Sequence, residues 1–111
     1  MADLAHAAAE RYIQLVNARD LDALVALFAP DAFVAHPVGE LTGHDAIRGF
    51  YAENVLRHAP TVSAVSWVHD GPVCVFEMEA RISPEAPPAK AIDHLTVDAD
   101  GRITRLAIYY R

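Results

Sequence analysis

Three side chains far apart in the sequence could do chemistry together: Tyr12 in AERYIQLVN, His36 in AFVAHPVGE and Asp93 in KAIDHLTV. A tyrosine carries a phenolic hydroxyl, and a neutral imidazole is a base whose ordinary pKa of about 6.5 lies near operating pH. A carboxyl takes either role according to its surroundings. Asp93 is the most pointed of the three. Ala91, Asp93, Leu95 and Val97 share one face of a period-two strand, and the aspartate is its one polar member. With that face in the core, desolvation raises the carboxyl's pKa. The plain alternatives are a buried arginine partner, a loop cap, or a flipped strand that leaves Asp93 solvated.

His36 closes a short apolar strand, Ala32 to Ala35, just before the rigid Pro37 and the flexible Gly39. Strand ends of this kind aim reactive groups into pockets, and they are equally ordinary places for a surface histidine. Tyr12 alone reads as a core aromatic whose hydroxyl needs a partner. The other histidines, at 6, 44, 58, 69 and 94, show no metal-ligand spacing, and no Gly-rich phosphate loop is present. No metal or nucleotide cofactor is expected.

The elements that must position these residues are legible from periodicity. Residues 3–18 form an amphipathic helix with Leu4, Ala8, Tyr12 and Leu15 on one stripe and Val16 beside it. Asp20 caps a second helix, LDALVALF, which Pro30 follows. Thr42 caps a third, with Asp45 in a weak capping box, and Ala46, Ile47, Phe50 and Tyr51 point inward. From Thr61 the pattern becomes strands. VSAVSWV turns through HDGP into VCVFEMEARI, where Cys74, Phe76, Met78, Ala80 and Ile82 share the buried face. SPEAPPA is too rich in proline for sheet; KAIDHLTV and RITRLAIYY, joined by DADG, are the last two strands. The expectation is an α+β domain over residues 1–111, a curved antiparallel or mixed sheet with three helices of the N-terminal half on its concave face.

The chain has 111 residues, 53% of them hydrophobic, and a formal net charge of −6. That balance fits a soluble globular domain and argues against nucleic acid or an anionic membrane as the main partner. Cys74 is the one cysteine, so an internal disulfide is excluded, and on the buried face it reads as an inert thiol. No apolar run approaches membrane-spanning length and the N-terminus carries acids instead of a basic leader, which makes a cytoplasmic protein the expectation.

Three segments resemble the Δ5-3-ketosteroid isomerases, within the cone-shaped nuclear-transport-factor-2-like, or SnoaL-like, superfamily. They are RYIQLVNARDLDALVALFAPDAFVAHPVGE, IRGFYAENVL and AIDHLTVDADGRITRLAIYY, which together span most of the chain. The resemblance implies a cofactor-free isomerase that moves a C=C bond into conjugation through a dienolate. Tyr12 matches a tyrosine, and Asp93 a protonated aspartic acid, that donate to the substrate oxygen. Those enzymes are themselves the known case of a carboxylic acid kept neutral by an apolar site. Tyr51 in GFYAEN matches a tyrosine that supports the first, and Phe28 stands where some members carry a further tyrosine. The departure is at the base. The family has aspartate in an Asp-Pro-Val/Phe-Gly context, and this chain reads AHPVG, with His36.

An apolar pocket for a steroid-like ligand would draw on Val34, Val38, Phe50, Phe76, Met78, Leu95, Ile108 and Tyr110, with Trp67 a further candidate. Each of these also has a plain core reading. The rival functions are a lyase, hydratase or hydrolase using His36 and Asp93 on another apolar substrate, and a non-catalytic ligand-binding dimeric module. Trp67, Ile103 and Tyr109 are expected to form an apolar patch on the exposed sheet face, through which a homodimer would pair.

Overall fold

The computed structural model describes residues 3–37 and 39–110, so Val38, one of the expected pocket residues, lies outside the described residues. Helix α1 (Leu4–Ala18) is capped by Asp3, whose carboxylate accepts the His6 N–H at 3.0 Å. Its buried stripe of Ala5, Ala8, Ala9, Tyr12, Leu15 and Val16 is the expected one. The small alanines let the first half of the helix lie close to the sheet. At its end, Asn17 accepts the Val62 N–H at 2.7 Å and donates to the Val62 carbonyl at 2.9 Å. That clamp fixes α1 to strand β3 (Thr61–Asp70) and so sets the position of Tyr12 over the sheet.

Helix α2 (Leu21–Ala26), capped by Asp20, is shorter than the apolar pattern LDALVALF predicts. The Leu27 carbonyl accepts the Ile103 N–H at 2.9 Å, and Phe28 pairs in parallel with Ile103. The sheet thus captures residues that helical periodicity would have continued. Strand β1 (Phe28–His36) is correspondingly longer than the expected Ala32 to Ala35. Pro30 falls within it at a register shift between Phe28 and Phe33, where a missing N–H costs no ladder bond.

Strand β2 (Gly39–Thr42) folds back on β1 as a hairpin, its last pair joining His36 to Gly39. Thr42 therefore lies in the ladder opposite Phe33, and the expected Thr42 cap is not formed. Helix α3 (His44–Asn54) starts instead from Gly43, whose φ of 88° suits glycine and whose N–H reaches the Ala32 carbonyl at 2.9 Å. Ile47, Phe50 and Tyr51 are buried as expected, Ala46 only partly. A 3₁₀ turn, Leu56–His58, then leads to β3.

Strands β4 (Val73–Arg81), β5 (Ala89–Val97) and β6 (Ile103–Tyr110) complete a sheet of order β2-β1-β6-β5-β4-β3. All neighbours are antiparallel except β1 and β6. Three helices packed against a six-stranded, mixed, unclosed sheet are the α+β architecture that the sequence predicts. Helix α1 crosses β3 to β5, while α3 sits against β1 and β2. The helices and sheet leave a gap between them at the ends of β1 and β6.

The strand faces depart from simple alternation at three places. In β3 the register shifts between Ala64 and Ser66, so Trp67 comes opposite Phe76 and packs on the inner face instead of the outer patch. Ile103, also expected outside, is fully buried where β6 starts, beside Phe28 and Val97 and a shift between Thr96 and Val97. Ile82 lies just past the end of β4 and is 64% exposed, although the parity of the strand assigns it to the core. The outer face retains Val68, Ile92 and Tyr109 as exposed apolar residues.

Candidate active site

Asp93 sits in the middle of β5, opposite Phe76 on one side and Ile108 on the other, with no exposed surface. Neither carboxyl oxygen has a hydrogen-bond partner among the described residues. Burial without compensation disfavours the charged form and pushes the carboxyl up to about 7. The inward strand face read from KAIDHLTV is the observed one, and among the described residues no arginine or loop cap answers the aspartate.

Tyr12, from the middle of α1, stands over the same region. Its hydroxyl is 2.8 Å from that of Tyr51 on α3, and the two rings meet edge-on. Desolvation is the main cause that raises both phenols, with the Asp93 carboxylate adding to it, so both are protonated near neutral pH. Phe28 packs against Tyr51 at a ring separation of 6.0 Å, and its missing hydroxyl ends the chain of phenols at two members.

His36 is the last residue of β1, held against Phe50 at a ring separation of 4.8 Å. Its Nε2 is 2.7 Å from the Tyr110 hydroxyl at the end of β6. Partial burial lowers its pKa, which favours the neutral imidazole at pH 7. Tyr110 moves the other way, raised by desolvation and then by Asp93. Its ring is largely exposed while its hydroxyl turns inward to the histidine.

These groups surround one cavity of about 180 Å³ between the sheet and the helices. Tyr12, His36, Asp93 and Tyr110 supply the polar groups of one part of its wall; Phe50, Met78 and Ile108 are apolar neighbours. The wall also includes Val16, Val55, Pro60 and Val62, and its exposed members Asn54, His58, Ile82 and Ala89 mark the open side.

Of the residues expected to form a pocket, Phe50, Met78, Ile108 and Tyr110 line this cavity. Val34, Phe76 and Leu95 do not. They are fully buried beneath the helices, with Phe76 packed edge-on behind Tyr12 and between Trp67 and Asp93, and serve as core. Tyr51 stands one hydrogen bond behind the wall. Asn54, the last residue of α3, and His58, in the 3₁₀ turn that follows, were not among the expected pocket residues. No three or more His, Cys, Asp or Glu side chains among the described residues are placed to hold a metal ion.

The arrangement is a buried acid pushed up to about 7, a protonated phenol and an imidazole whose partial burial favours the neutral form, on one apolar cavity. Comparison with known proteins places the chain in a family. Residues 9–106 match the model of the SnoaL-like domain. The chain belongs to this family. Within it, the chain is 32% identical over 107 residues to the steroid Delta-isomerase of Nocardioides simplex, covering 94% of this chain and 87% of that one. A solved protein of Kribbella flavida shares 30% identity at a TM-score of 0.86, covering 99% of this chain and 88% of the other. SalBIII, the epoxide hydrolase/cyclase-like enzyme of pyran ring formation in salinomycin, superposes at a TM-score of 0.81 with 24% identity. That match covers 96% of this chain and 89% of SalBIII, and shows the shared SnoaL-like fold. The resemblance to steroid isomerases seen in the sequence is thus borne out at the level of family and fold. No helix among the described residues is long and apolar enough to cross a membrane.

Proposed function

We propose that the protein is a cofactor-independent isomerase that moves a C=C bond into conjugation with the ketone of an apolar, steroid-like substrate. The observation that carries this reading is Asp93, a fully buried carboxyl with both oxygens unpartnered on the wall of a cavity shared with Tyr12 and His36. A structural module gains nothing from such a group, because an unpaired buried polar group costs stability. A ligand oxygen that accepts from it removes the deficit.

The substrate ketone would accept hydrogen bonds from the Tyr12 hydroxyl and the protonated Asp93 carboxyl. His36 takes the proton from the carbon between the ketone and the alkene, and the C–H electron pair flows into the carbonyl as a dienolate. The two donors bind the developing oxyanion, an effect worth about 10²–10³ in rate per donor. The imidazolium then returns its proton at the far end of the dienolate, giving the conjugated enone and a neutral histidine. Nothing is consumed, so no cofactor is required.

A second reading is a lyase or hydratase that uses His36 and Asp93 as an acid/base pair on a smaller substrate. The cavity volume favours it: about 180 Å³ is below the roughly 300–1,000 Å³ of ordinary small-molecule sites. The remaining partner reading is a homodimer, a second copy covering the outer sheet face at Val68, Ile92 and Tyr109; sedimentation of the purified protein reads it directly.

The deciding experiment follows ultraviolet absorbance as the protein meets a Δ5-3-ketosteroid, with Asp93→Ala and His36→Asp beside the wild type. The isomerase reading expects conjugated enone from the wild type and most of that rate lost in Asp93→Ala. A silent wild type with an active His36→Asp would mean that the pocket accepts the steroid and that the histidine has turned this reaction off. Silence from all three rejects the isomerase assignment and leaves the lyase reading or a binding module.

A further inference from the structure

Away from Asp93 the sheet side of the cavity is paved with alanines. Asp93, Ala91 and Ala89 are successive inward positions of β5, and all three line the cavity. From the carboxyl to Ala89 the row advances about 13 Å. Ala80 stands directly opposite Ala89 on β4 and belongs to the same wall. The helix side follows the same line. Tyr12 meets Phe76 edge-on, and Phe76 is the cross-strand partner of Asp93. Val16, about 6 Å further along α1, lines the cavity too. The next residue, Asn17, is bonded to Val62, and Val62 pairs with Ala80. Helix and sheet therefore run side by side from Tyr12 and Asp93 to the open side, and the space between them is a slot with a polar closed end.

Alanines alone would be packing. A ligand is indicated by where the row begins: the Asp93 carboxyl is fully buried, and neither oxygen has a partner among the described residues. The next inward position on the other side of Asp93 is Leu95, which has no exposed surface and lies in the core. The body of a ligand whose oxygen answers Asp93 can thus extend only toward Ala91. A long side chain at position 91 would stand in that path, and alanine leaves it flat.

We propose that Ala91, with Ala80 and Ala89 beyond it, selects elongate, flat, apolar ketones of several fused rings over compact ones. The ketone oxygen sits at Asp93, and the ring system lies on the alanine floor with its far end at the open side. This names the substrate class of the site described above, and it rests on that reading for the placement of the ketone. The small enclosed volume, about 180 Å³, holds the reacting end, and the floor continues past it to the rim. Each ring laid on the floor removes apolar surface from water, so affinity rises with ring number.

Equilibrium binding of three conjugated ketones tests this: cyclohexenone, a two-ring octalone and a four-ring Δ4-3-ketosteroid, each followed by isothermal titration calorimetry. The wild type should bind them in order of ring number, the steroid about 100-fold tighter than cyclohexenone. Ala91→Leu places three further carbons on the floor and should lower the steroid-to-cyclohexenone affinity ratio about 10–100-fold. Ala80→Leu, further from Asp93, should lower the steroid-to-octalone ratio. Unfolding midpoints show that each variant is folded. Should Ala91→Leu not fold, Ala80→Leu, at a half-buried position, carries the test. A steroid bound no tighter than cyclohexenone, or ratios unmoved in the folded variants, overturns the proposal and leaves a compact substrate. If the ratios fall while the wild type isomerises no Δ5-3-ketosteroid, the slot stands and the isomerase reading falls. Turnover with unmoved ratios removes the slot alone.

Discussion

The hydroxyls of Tyr12 and Tyr51 lie 2.8 Å apart in the interior, one on α1 and the other on α3, 39 residues along the chain. Only Tyr12 reaches the cavity wall. Either hydroxyl can donate in this pair; in the proposed reaction Tyr51 donates to the Tyr12 oxygen, which frees the Tyr12 proton for the cavity and makes Tyr12 a better hydrogen-bond donor. The pair thus has an unequal division of labour. Tyr12→Phe should lower kcat by about 10²–10³-fold, as the loss of one oxyanion donor does. Tyr51→Phe should cost only about 5–10-fold, the worth of one neutral hydrogen bond. The double variant should be no slower than Tyr12→Phe, and steady-state kinetics on the four proteins would show additivity if the two hydroxyls acted independently.

Asp93 gives the protein a stability that depends on pH in an unusual direction. Its folded pKa of about 7 lies above the unfolded value of about 3.9. Between these limits the folded state binds more protons at Asp93 than the unfolded one, so the contribution of this group to stability is greatest below about pH 4, falls as pH rises to about 7, and is level beyond. The full span is on the order of 3–5 kcal/mol. Asp93→Asn cannot ionise, and its denaturant midpoint should lack this fall. The same ionisation removes a donor to the substrate oxygen. Activity should therefore decline as pH passes through about 7, after rising with loss of the His36 proton below 6.5. A kcat/KM profile that stays level well above pH 7 would sink the neutral-acid role.

Local patterns made the site visible in the sequence, and tertiary choices hid its walls. Asp93 was legible because its neighbours Ala91, Leu95 and Val97 are apolar at period two, and the strand is regular through that stretch. Tyr12 and Tyr51 were legible as inward residues of amphipathic helices, but the hydrogen bond between them depends on how the helices cross. Trp67 and Ile103 were misplaced because bulges reset the strand parity, and nothing in SAVSW announces a bulge. Helix α2 was read too long for a related reason: Leu27 and Phe28 fit the helical stripe, yet Ile103, 75 residues from Phe28, claims the Leu27 carbonyl. The Tyr110 hydroxyl was invisible for the same cause, since a terminal residue of one strand meets the terminal residue of another only in the folded sheet.

Asn17 is the residue on which the placement of Tyr12 depends. Its carboxamide satisfies both the N–H and the carbonyl of Val62. Asn17→Ala leaves two partly buried backbone groups unpaired and should destabilise the fold by about 2–4 kcal/mol, read from chemical denaturation. Because α1 also rests on a buried stripe of six residues, the fold should persist. The functional loss should appear in kcat through misplacement of the Tyr12 donor, and a variant with an unchanged kcat would show that the stripe alone positions the helix.

Ile82 separates a large substrate from a small one. It lies on the open side of the cavity and is 64% exposed, so it contributes little to the core. A fused-ring ketone bound with its oxygen at Asp93 cannot fit within about 180 Å³, so its far end would leave through the open side, where Ile82 is the large apolar residue beside Asn54, His58 and Ala89. That contact is the same in ground state and transition state, so Ile82→Ser should raise KM about 3–10-fold while leaving kcat and the unfolding midpoint unchanged. A compact substrate held wholly inside would never touch the rim. An unchanged KM for a steroid ketone would therefore remove the extended binding mode, and with it the argument that a steroid-sized ligand can be held with its oxygen at Asp93.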